Sequence, residues 1–216
     1  MSRKYAALAI GLTLAAFAAS VMLYPRLPAE IPIHWNIHGQ VDNQGSKTWA
    51  AFLAPSLMVF MIVLFRFLPW LSPRRFEVSD TGKPTYLYVM VVLLVLLAYL
   101  HGLTLAAALG RIPDVGRALV AGLCLIFALL GNVLGKIPRN MYIGVRTPWT
   151  IASERVWYAT HRLAAKLLVA AGIAGVVMVL AFGWFSAAFV VLMASLLVPV
   201  VYSLVYYKRL DRGGDV

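Results

Sequence analysis

Long apolar runs separated by short polar segments dominate the chain. Six runs of roughly twenty residues predict helices that can cross the roughly 30 Å hydrocarbon core of a bilayer. They cover residues 5–24, 49–71, 85–109, 115–134, 163–182 and 187–207. None shows the period-two alternation of a membrane barrel. The pattern therefore predicts an all-α, polytopic integral membrane protein with six transmembrane helices.

The first run has two interpretations. It follows the basic residues Arg3 and Lys4, and it contains the small residues Ala18, Ala19 and Ser20. These features fit a cleaved signal peptide. The run is nevertheless longer than the usual signal core, which favours a retained helix.

Composition and charge agree with a membrane protein. Of the 216 residues, 62% are hydrophobic and only 12% are charged, far from the balance of a soluble domain. The net charge of +11 comes from basic residues between the apolar runs, a pattern typical of topology signals and anionic lipid contact. We therefore expect membrane lipids, and no direct nucleic acid, as partners. The single cysteine, Cys124, excludes a disulfide framework within the chain.

The distribution of Lys and Arg predicts the orientation. With the N-terminus inside, fifteen of these residues face the cytoplasm and four face outward. The positive-inside rule then favours an N-in, C-in topology. Residues 1–109 would form an N-terminal three-helix half with an extracytoplasmic, proline-rich segment at 25–48. Residues 110–216 would form a C-terminal three-helix half with a cytoplasmic polar insert at 135–163.

The proline-rich segment predicts an ordered loop. Its prolines disfavour helix, and Gly39 and Gly45 with Asp42 and Asn43 supply turns. A short strand is predicted at residues 31–36.

Two histidines in this segment are weak candidates for a metal site. His34, His38 and Asp42 follow one another at intervals of four, which would form a metal-binding face on a helix. Because the prolines and Gly39 argue against a helix, the alternative is that His34, Trp35 and Asn36 bond the backbone and pack over helix ends. We therefore expect no metal, and no cofactor is implied.

The polar insert contains two helix-start signals. Thr147 and Pro148 place a proline at a first helical position, and Ser153 with Glu154 resembles a capped start with an acid at the positive end of the helix dipole. Glu154, Trp157 and His161 share one helical face. This pattern predicts an amphipathic helix in the headgroup plane that continues into the fifth span.

The polar groups of this insert have two interpretations. In the first, its arginines bind lipid phosphates while Trp149 and Trp157 anchor at the interface. In the second, Arg146, Glu154 and His161 contribute specific contacts in a pocket or partner-docking surface.

Two polar residues lie in apolar runs. Asn132 predicts a hydrogen bond to another helix, because an unpaired amide is costly in lipid. His101 is an ionisable group at membrane depth. No acidic residue lies within any span, which favours helix packing over a proton relay, with Asn132 as one candidate partner. No catalytic signature is present, so an enzyme is disfavoured without being excluded.

Two segments resemble a known family. The motif GN…K…N…GVRTPWT…S…VW…THR, residues 131–162, is similar to the signature region of the SdpI family of membrane immunity proteins. IPIHWNIHGQVDNQGSK, residues 31–47, is similar to the N-terminal domain of unknown function in longer members. His38 departs from the small or amide residue expected there.

The resemblance implies sites and partners. The polar-insert motif carries forward Asn132, Lys136, Asn140, Gly144, Arg146, Thr147, Pro148, Trp149, Ser153, Trp157, Thr160, His161 and Arg162. The proline-rich motif carries forward Pro32, His34, Trp35, Asn36, Gly39 and Lys47. Together with Glu154, these motifs supply the candidates for partner or ligand binding.

The resemblance also implies a function. It predicts a bacterial inner-membrane protein that protects the cell from a secreted toxic peptide. Binding outside would be coupled to docking of a cytoplasmic repressor inside, as in the best-known member. The alternatives are a membrane enzyme or carrier acting on lipid or peptide through Arg146, Glu154 and His161, and an accessory subunit.

Overall fold

The computed structural model describes residues 3–36, 40–71 and 82–213. The chain forms seven helices and one hairpin within these residues. In chain order they are α1 (Arg3–Leu23), β1 (Glu30–Trp35), β2 (Val41–Ser46), α2 (Lys47–Phe67), α3 (Lys83–Ala108), α4 (Val115–Leu134), α5 (Pro148–Ala152), α6 (Glu154–Phe182) and α7 (Phe185–Arg212).

The six-span prediction is confirmed. Within the described residues, all helices except the five-residue α5 are long and apolar enough to cross a bilayer. Single 3₁₀ turns extend two of them, at Tyr24–Arg26 and Leu68–Leu71. The protein is therefore a multi-pass α-helical membrane protein. The polar loop predicted at 72–84 lies mostly outside the described residues.

The fifth span differs from its prediction. α6 begins at Glu154 and continues without a break to Phe182, so the helix predicted at Glu154 does run into the fifth span, which starts earlier than the apolar run at 163–182. Its placement in the headgroup plane stays a prediction. No proline interrupts this stretch, and nothing stops the helical ladder between the polar and apolar residues. The helix ends at Gly183, whose φ of 68° closes the last turn in the left-handed region that glycine favours.

The proline-rich segment forms a hairpin. The predicted strand is present as β1, and β2, which the turn residues had hidden, pairs with it antiparallel. The register shifts near Pro32 and His34, where a proline removes a ladder donor. At the strand ends, the Asn36 and Gln40 backbones are joined by a 2.9 Å hydrogen bond.

The described residues divide into two compact units. The first comprises Met1–Arg66 and Met90–Leu123, and the second comprises Phe67–Val89 and Cys124–Val216. α3 and α4 each contribute residues to both units, and the linear halves 1–109 and 110–216 stay a prediction.

The first unit has a core beneath the hairpin. Ile31 of β1 is fully buried and packs with Ala51 of α2 and Leu105 of α3. The Ser20 hydroxyl of α1 donates to the Ala51 carbonyl at 2.6 Å. Apolar contact beneath the hairpin and a polar link between helices therefore hold this unit together, as expected where lipid provides no hydrophobic drive.

The second unit depends on close helix approach. A Cβ on Gly131 of α4 would lie 2.8 Å from the Leu168 Cβ of α6, and one on Gly172 would lie 2.5 Å from the Cys124 carbonyl oxygen. Small residues therefore let the α4 and α6 backbones meet, which is how membrane helices gain packing energy.

Candidate functional site

His161 and Trp157 form the centre of the folded polar insert. Both side chains are fully buried, and their rings stack with centroids 4.0 Å apart. The Trp157 Nε1–H donates to the Ile137 carbonyl at 2.8 Å. One helical face of α6 therefore anchors the segment that follows α4, rather than facing lipid headgroups.

Both ring nitrogens of His161 are occupied. The Val145 N–H donates to Nε2 at 3.0 Å, so Nε2 acts as an acceptor. Nδ1 then carries the proton and donates to the Trp157 carbonyl at 2.7 Å. This histidine holds the loop to the helix and has no free nitrogen for a ligand or a proton-transfer step.

Gly144 allows the loop to reach His161. Its φ is 113°, and a Cβ there would lie 2.1 Å from the His161 Nε2. The position therefore requires glycine both for conformation and for space.

Asn140 shapes the turn before it. Its buried side chain donates to the Pro138 and Ile143 carbonyls and accepts from the Tyr142 and Ile143 backbone N–H groups at 2.7 and 2.8 Å. These bonds occupy both ends of the amide. Asn140 is a structural residue in this turn.

The predicted helix start at Thr147 and Pro148 is confirmed. The Thr147 side chain accepts from the Thr150 N–H, while the Thr150 hydroxyl accepts from the Thr147 N–H at 2.9 Å. This reciprocal arrangement is a capping box. Thr150 was not among the predicted residues, although its spacing from Thr147 carries the signal.

The second predicted helix start, at Ser153 and Glu154, lies where it was expected, but the predicted side-chain cap is not formed. Ser153 is the N-cap residue of α6, but its side chain makes no capping hydrogen bond. Its backbone N–H instead donates to the Trp149 carbonyl at 3.2 Å, which closes α5. The residue joins two helices and has an extended backbone.

Trp149 is half-buried and contacts another helix of the protein. Its Nε1–H donates to the Ser203 hydroxyl of α7. The short helix α5 is thereby attached to a transmembrane helix, which extends the folded insert across the second unit.

The proposed pocket of Arg146, Glu154 and His161 is not assembled. Arg146 is exposed and donates to the Met141 carbonyl, whereas Glu154 is exposed and lies 3.7 Å from the Arg139 guanidinium. His161 is enclosed by its own partners. The three groups make separate contacts because the backbone around Val145 covers His161, whereas Glu154, on the same face of α6, stays exposed.

Arg139 was missed as a site residue. Its guanidinium donates to the Ile151 and Ala152 carbonyls at 2.9 and 3.3 Å, at the C-terminal end of α5, where a cation is favourable. No sequence pattern predicts this contact, because its two residues lie twelve positions apart.

The remaining candidates of the insert and the spans are partly exposed and partly buried. Asn132 is exposed on α4, and the described residues give its side chain no hydrogen bond, so the predicted interhelical bond is wrong. His101 bonds to Ser20 instead, at 3.0 Å. Lys136 and Arg162 are exposed. The Thr160 hydroxyl is buried without a partner in the described part of the chain.

The hairpin positions the second group of candidates. The His34 Nδ1 lies 2.5 Å from the Asp42 carboxylate, and the Asn36 and Gln40 side chains bond each other at 3.3 Å. His38 lies outside the described residues. Among those that are described, no three His, Cys, Asp or Glu side chains form a metal-binding group.

A cavity of about 350 Å³ lies in the first unit, between the hairpin and its helices. His34 and Trp35 of β1 line it together with His101 of α3. By contrast, the cavity beside Asn140 and Arg139 has a volume of about 10 Å³, enough for roughly one water. The larger of these two cavities is therefore the one that the hairpin residues line.

Known protein families match both the polar insert and the hairpin. A model described as "SdpI/YfhL protein family" matches residues 136–206, and one described as "Domain of unknown function (DUF1648)" matches residues 11–59. The Immunity protein SdpI of Bacillus subtilis (strain 168) is 30% identical over 203 residues, which cover 90% of this chain and 92% of the relative. No solved structure matches.

Proposed function

Because the chain belongs to the SdpI family, we propose that it is an immunity protein of the bacterial cytoplasmic membrane that protects its cell from a secreted toxic peptide. The observation that carries the proposal is the similarity to the Immunity protein SdpI over nearly the full length of both chains. It includes the hairpin and the polar insert, so it is not limited to apolar helices that many membrane proteins share.

The charge distribution supports an N-in, C-in orientation. With the hairpin outside, only four of the nineteen Lys and Arg residues lie on that face. The hairpin is then the part that meets a peptide arriving from outside, and the polar insert faces the cytoplasm. The linear three-helix halves, 1–109 and 110–216, remain part of this proposal.

Exposed cations support docking on the inner face. Lys136, Arg146, Arg162 and Lys166 are all exposed, while the residues that shape the insert beneath them are buried. A folded scaffold that presents separate positive charges suits a cytoplasmic repressor with an acidic surface, and it equally suits anionic headgroups.

Deletion of the gene tests the protective role. Growth would be measured against dilutions of the secreted peptide fraction from the same species and from neighbouring strains. We expect the deletion strain to be at least tenfold more sensitive to one of these fractions, and the plasmid-borne chain to restore resistance. Unchanged sensitivity to every fraction would contradict the proposal.

Charge reversal tests the inner-face role separately. Exchange of Arg146 and Arg162 for Glu would leave protection intact and would release a repressor from the membrane fraction of toxin-treated cells. The matched control exchanges Arg26 and Arg111, which lie on the opposite face in the proposed topology. Equal repressor content in both membrane fractions would exclude docking through the insert.

A further inference from the structure

The cavity of the first unit is large and mostly apolar. At about 350 Å³ it is lined largely by aliphatic side chains, among them Ala54 and Leu57 of α2. This volume falls within the usual range of ligand sites, roughly 300–1,000 Å³. It is about twice that of a roughly 150 Å³ apolar cavity that admits benzene, so one or two apolar side chains fit.

Two residues that line the cavity are also exposed at the protein surface. His34 in its lining has a side chain that is 66% exposed, on the hairpin side. Leu57, also in the lining, is 41% exposed on a membrane-spanning helix. The cavity lining therefore joins a polar side chain of the hairpin to an apolar side chain of a membrane-spanning helix.

His101 contributes an unsatisfied acceptor. It is 3% exposed, and its Nε2 lies 3.2 Å from the Ala16 carbonyl, which can only accept. The Ser20 hydroxyl lies 3.0 Å from the same nitrogen and donates its proton to the Ala51 carbonyl, so it too accepts here. With two acceptors beside it, Nε2 carries the proton. In the neutral ring Nδ1 is then an acceptor, and it has no hydrogen-bond partner among the described residues.

Trp35 contributes the opposite group. Its indole Nε1–H can only donate, and it is also buried without a partner in the described part of the chain. Buried polar groups are nearly always hydrogen-bonded, and each that is not carries a free-energy cost. The same cavity is thus lined by residues that leave one donor and one acceptor unpaired.

We propose that this cavity binds an apolar peptide segment, with a backbone amide that satisfies both groups. The amide carbonyl accepts from the Trp35 indole, and an amide N–H donates to the His101 Nδ1. An acyl chain or a carboxylic ester of a lipid offers no donor, so it would leave the histidine unpaired.

This inference rests on the proposed function in one respect, which is the identity of the peptide that occupies the cavity in the cell. Within that function, the segment is an apolar stretch of the toxic peptide, taken up beside the outer hairpin. Binding itself is independent of that identity and is testable with a synthetic peptide.

The probe is acetyl-trileucine amide with a diazirine on the central leucine, applied to the full chain in nanodiscs. Photolabelling is read by mass spectrometry of the labelled fragments. We expect saturable labelling of segments from β1, α2 and α3. A depsipeptide probe, with oxygen in place of the central amide N–H, should bind about five- to tenfold more weakly, as expected for one lost hydrogen bond.

Three variants sharpen the test. Ala54→Phe fills the cavity and should reduce labelling more than tenfold, whereas Ser56→Phe, an exposed position on the same helix outside the lining, should not. Trp35→Phe keeps an aromatic side chain and removes the unpaired donor together with part of the indole volume. It should weaken binding about fivefold without loss of folded protein, and Trp184→Phe in the second unit is its control.

The contrary results are distinct. Labelling that persists in Ala54→Phe would place the probe elsewhere and overturn the proposal. Displacement of the peptide by oleate at equal concentration, with no effect of Trp35→Phe, would make the cavity a lipid site. If Ala54→Phe abolishes labelling while cells stay protected, the peptide site stands and its role in immunity fails. If gene deletion leaves toxin sensitivity unchanged, the immunity function fails whatever the probe shows.

Discussion

The polar insert and the proline-rich segment use similar residues in opposite ways. In the insert, Trp157, His161 and Asn140 are buried, and their side chains form hydrogen bonds with the protein's own backbone. In the hairpin, His34 pairs with Asp42 on the surface, and Trp35 keeps a donor unpaired beside a cavity. A motif rich in Trp, His and Asn can therefore be a scaffold in one place and a contact surface in another.

The difference follows from what each segment must satisfy. The insert connects two long helices without a sheet, so its backbone polar groups need side-chain partners. The hairpin satisfies its backbone through the β1–β2 ladder, which leaves its side chains available. Substitutions in the insert should therefore reduce stability, and substitutions in the hairpin should chiefly affect binding.

The largest effect is expected at Gly144. Gly144→Ala adds a Cβ that overlaps the His161 ring, at a φ of 113° that alanine rarely adopts. We expect a loss of about 3 kcal/mol in the free energy of unfolding, from backbone strain and from displacement of the ring. The measurement is a sodium dodecyl sulfate titration in mixed micelles, followed by circular dichroism.

Gly110 provides the control for this variant. It also has a positive φ, 64°, but a Cβ there meets nothing within 4 Å. Gly110→Ala should cost about 1 kcal/mol from strain alone. Equal losses for the two variants would show that the contact between loop and ring contributes nothing, and the scaffold interpretation of the insert would be wrong.

A smaller loss is expected at His161. His161→Phe keeps a stacking ring, somewhat larger than imidazole, but leaves the Val145 N–H without its acceptor, at a cost of about 2 kcal/mol for a buried donor. The exposed neighbour Arg162→Gln should change stability by less than about 0.5 kcal/mol. The same titration measures both.

Toxin resistance separates structure from function at this residue. Because both ring nitrogens are occupied, His161→Phe should lower resistance only in proportion to the folded protein in the membrane. Full abundance with complete loss of resistance would instead assign His161 a direct role, and the contrast between the two segments would fail.

Sequence patterns predicted the spans well because each span is a local property. A run of twenty apolar residues must satisfy its backbone internally, and helix is the local way to do so. The start at Thr147 and Pro148 was predictable for the same reason, since its hydrogen bonds link residues three apart. β1 was found by its prolines, whereas the turn residues Asp42 and Asn43 concealed β2.

Long-range partners limited the prediction of the site. The bonds from Arg139 to Ile151 and from Trp149 to Ser203 join residues twelve and fifty-four positions apart. Helical spacing placed Glu154 and His161 on one face, but it could not show that the backbone around Val145 would cover only His161. Asn132 failed because burial along an apolar run was assumed, and its face of α4 is exposed.

The smallest effect is expected at the His34–Asp42 pair. Its side chains are 66% and 41% exposed, and exposed polar or ionic pairs contribute at most roughly 0.2–1 kcal/mol. His34→Asn and Asp42→Asn should each lower the free energy of unfolding by less than about 0.5 kcal/mol in the same titration. The double variant should show a coupling no larger than that.

The pair also distinguishes the two segments at the level of binding. Because His34 lines the cavity, His34→Asn should change affinity for the trileucine probe by more than its stability change implies. Asp42→Asn, whose residue is absent from that lining, should change affinity less. The contrary result is a stability loss above about 2 kcal/mol for His34→Asn with unchanged probe binding. A surface pair supplies that energy only if it holds the hairpin on its unit. The hairpin would then be a scaffold like the insert.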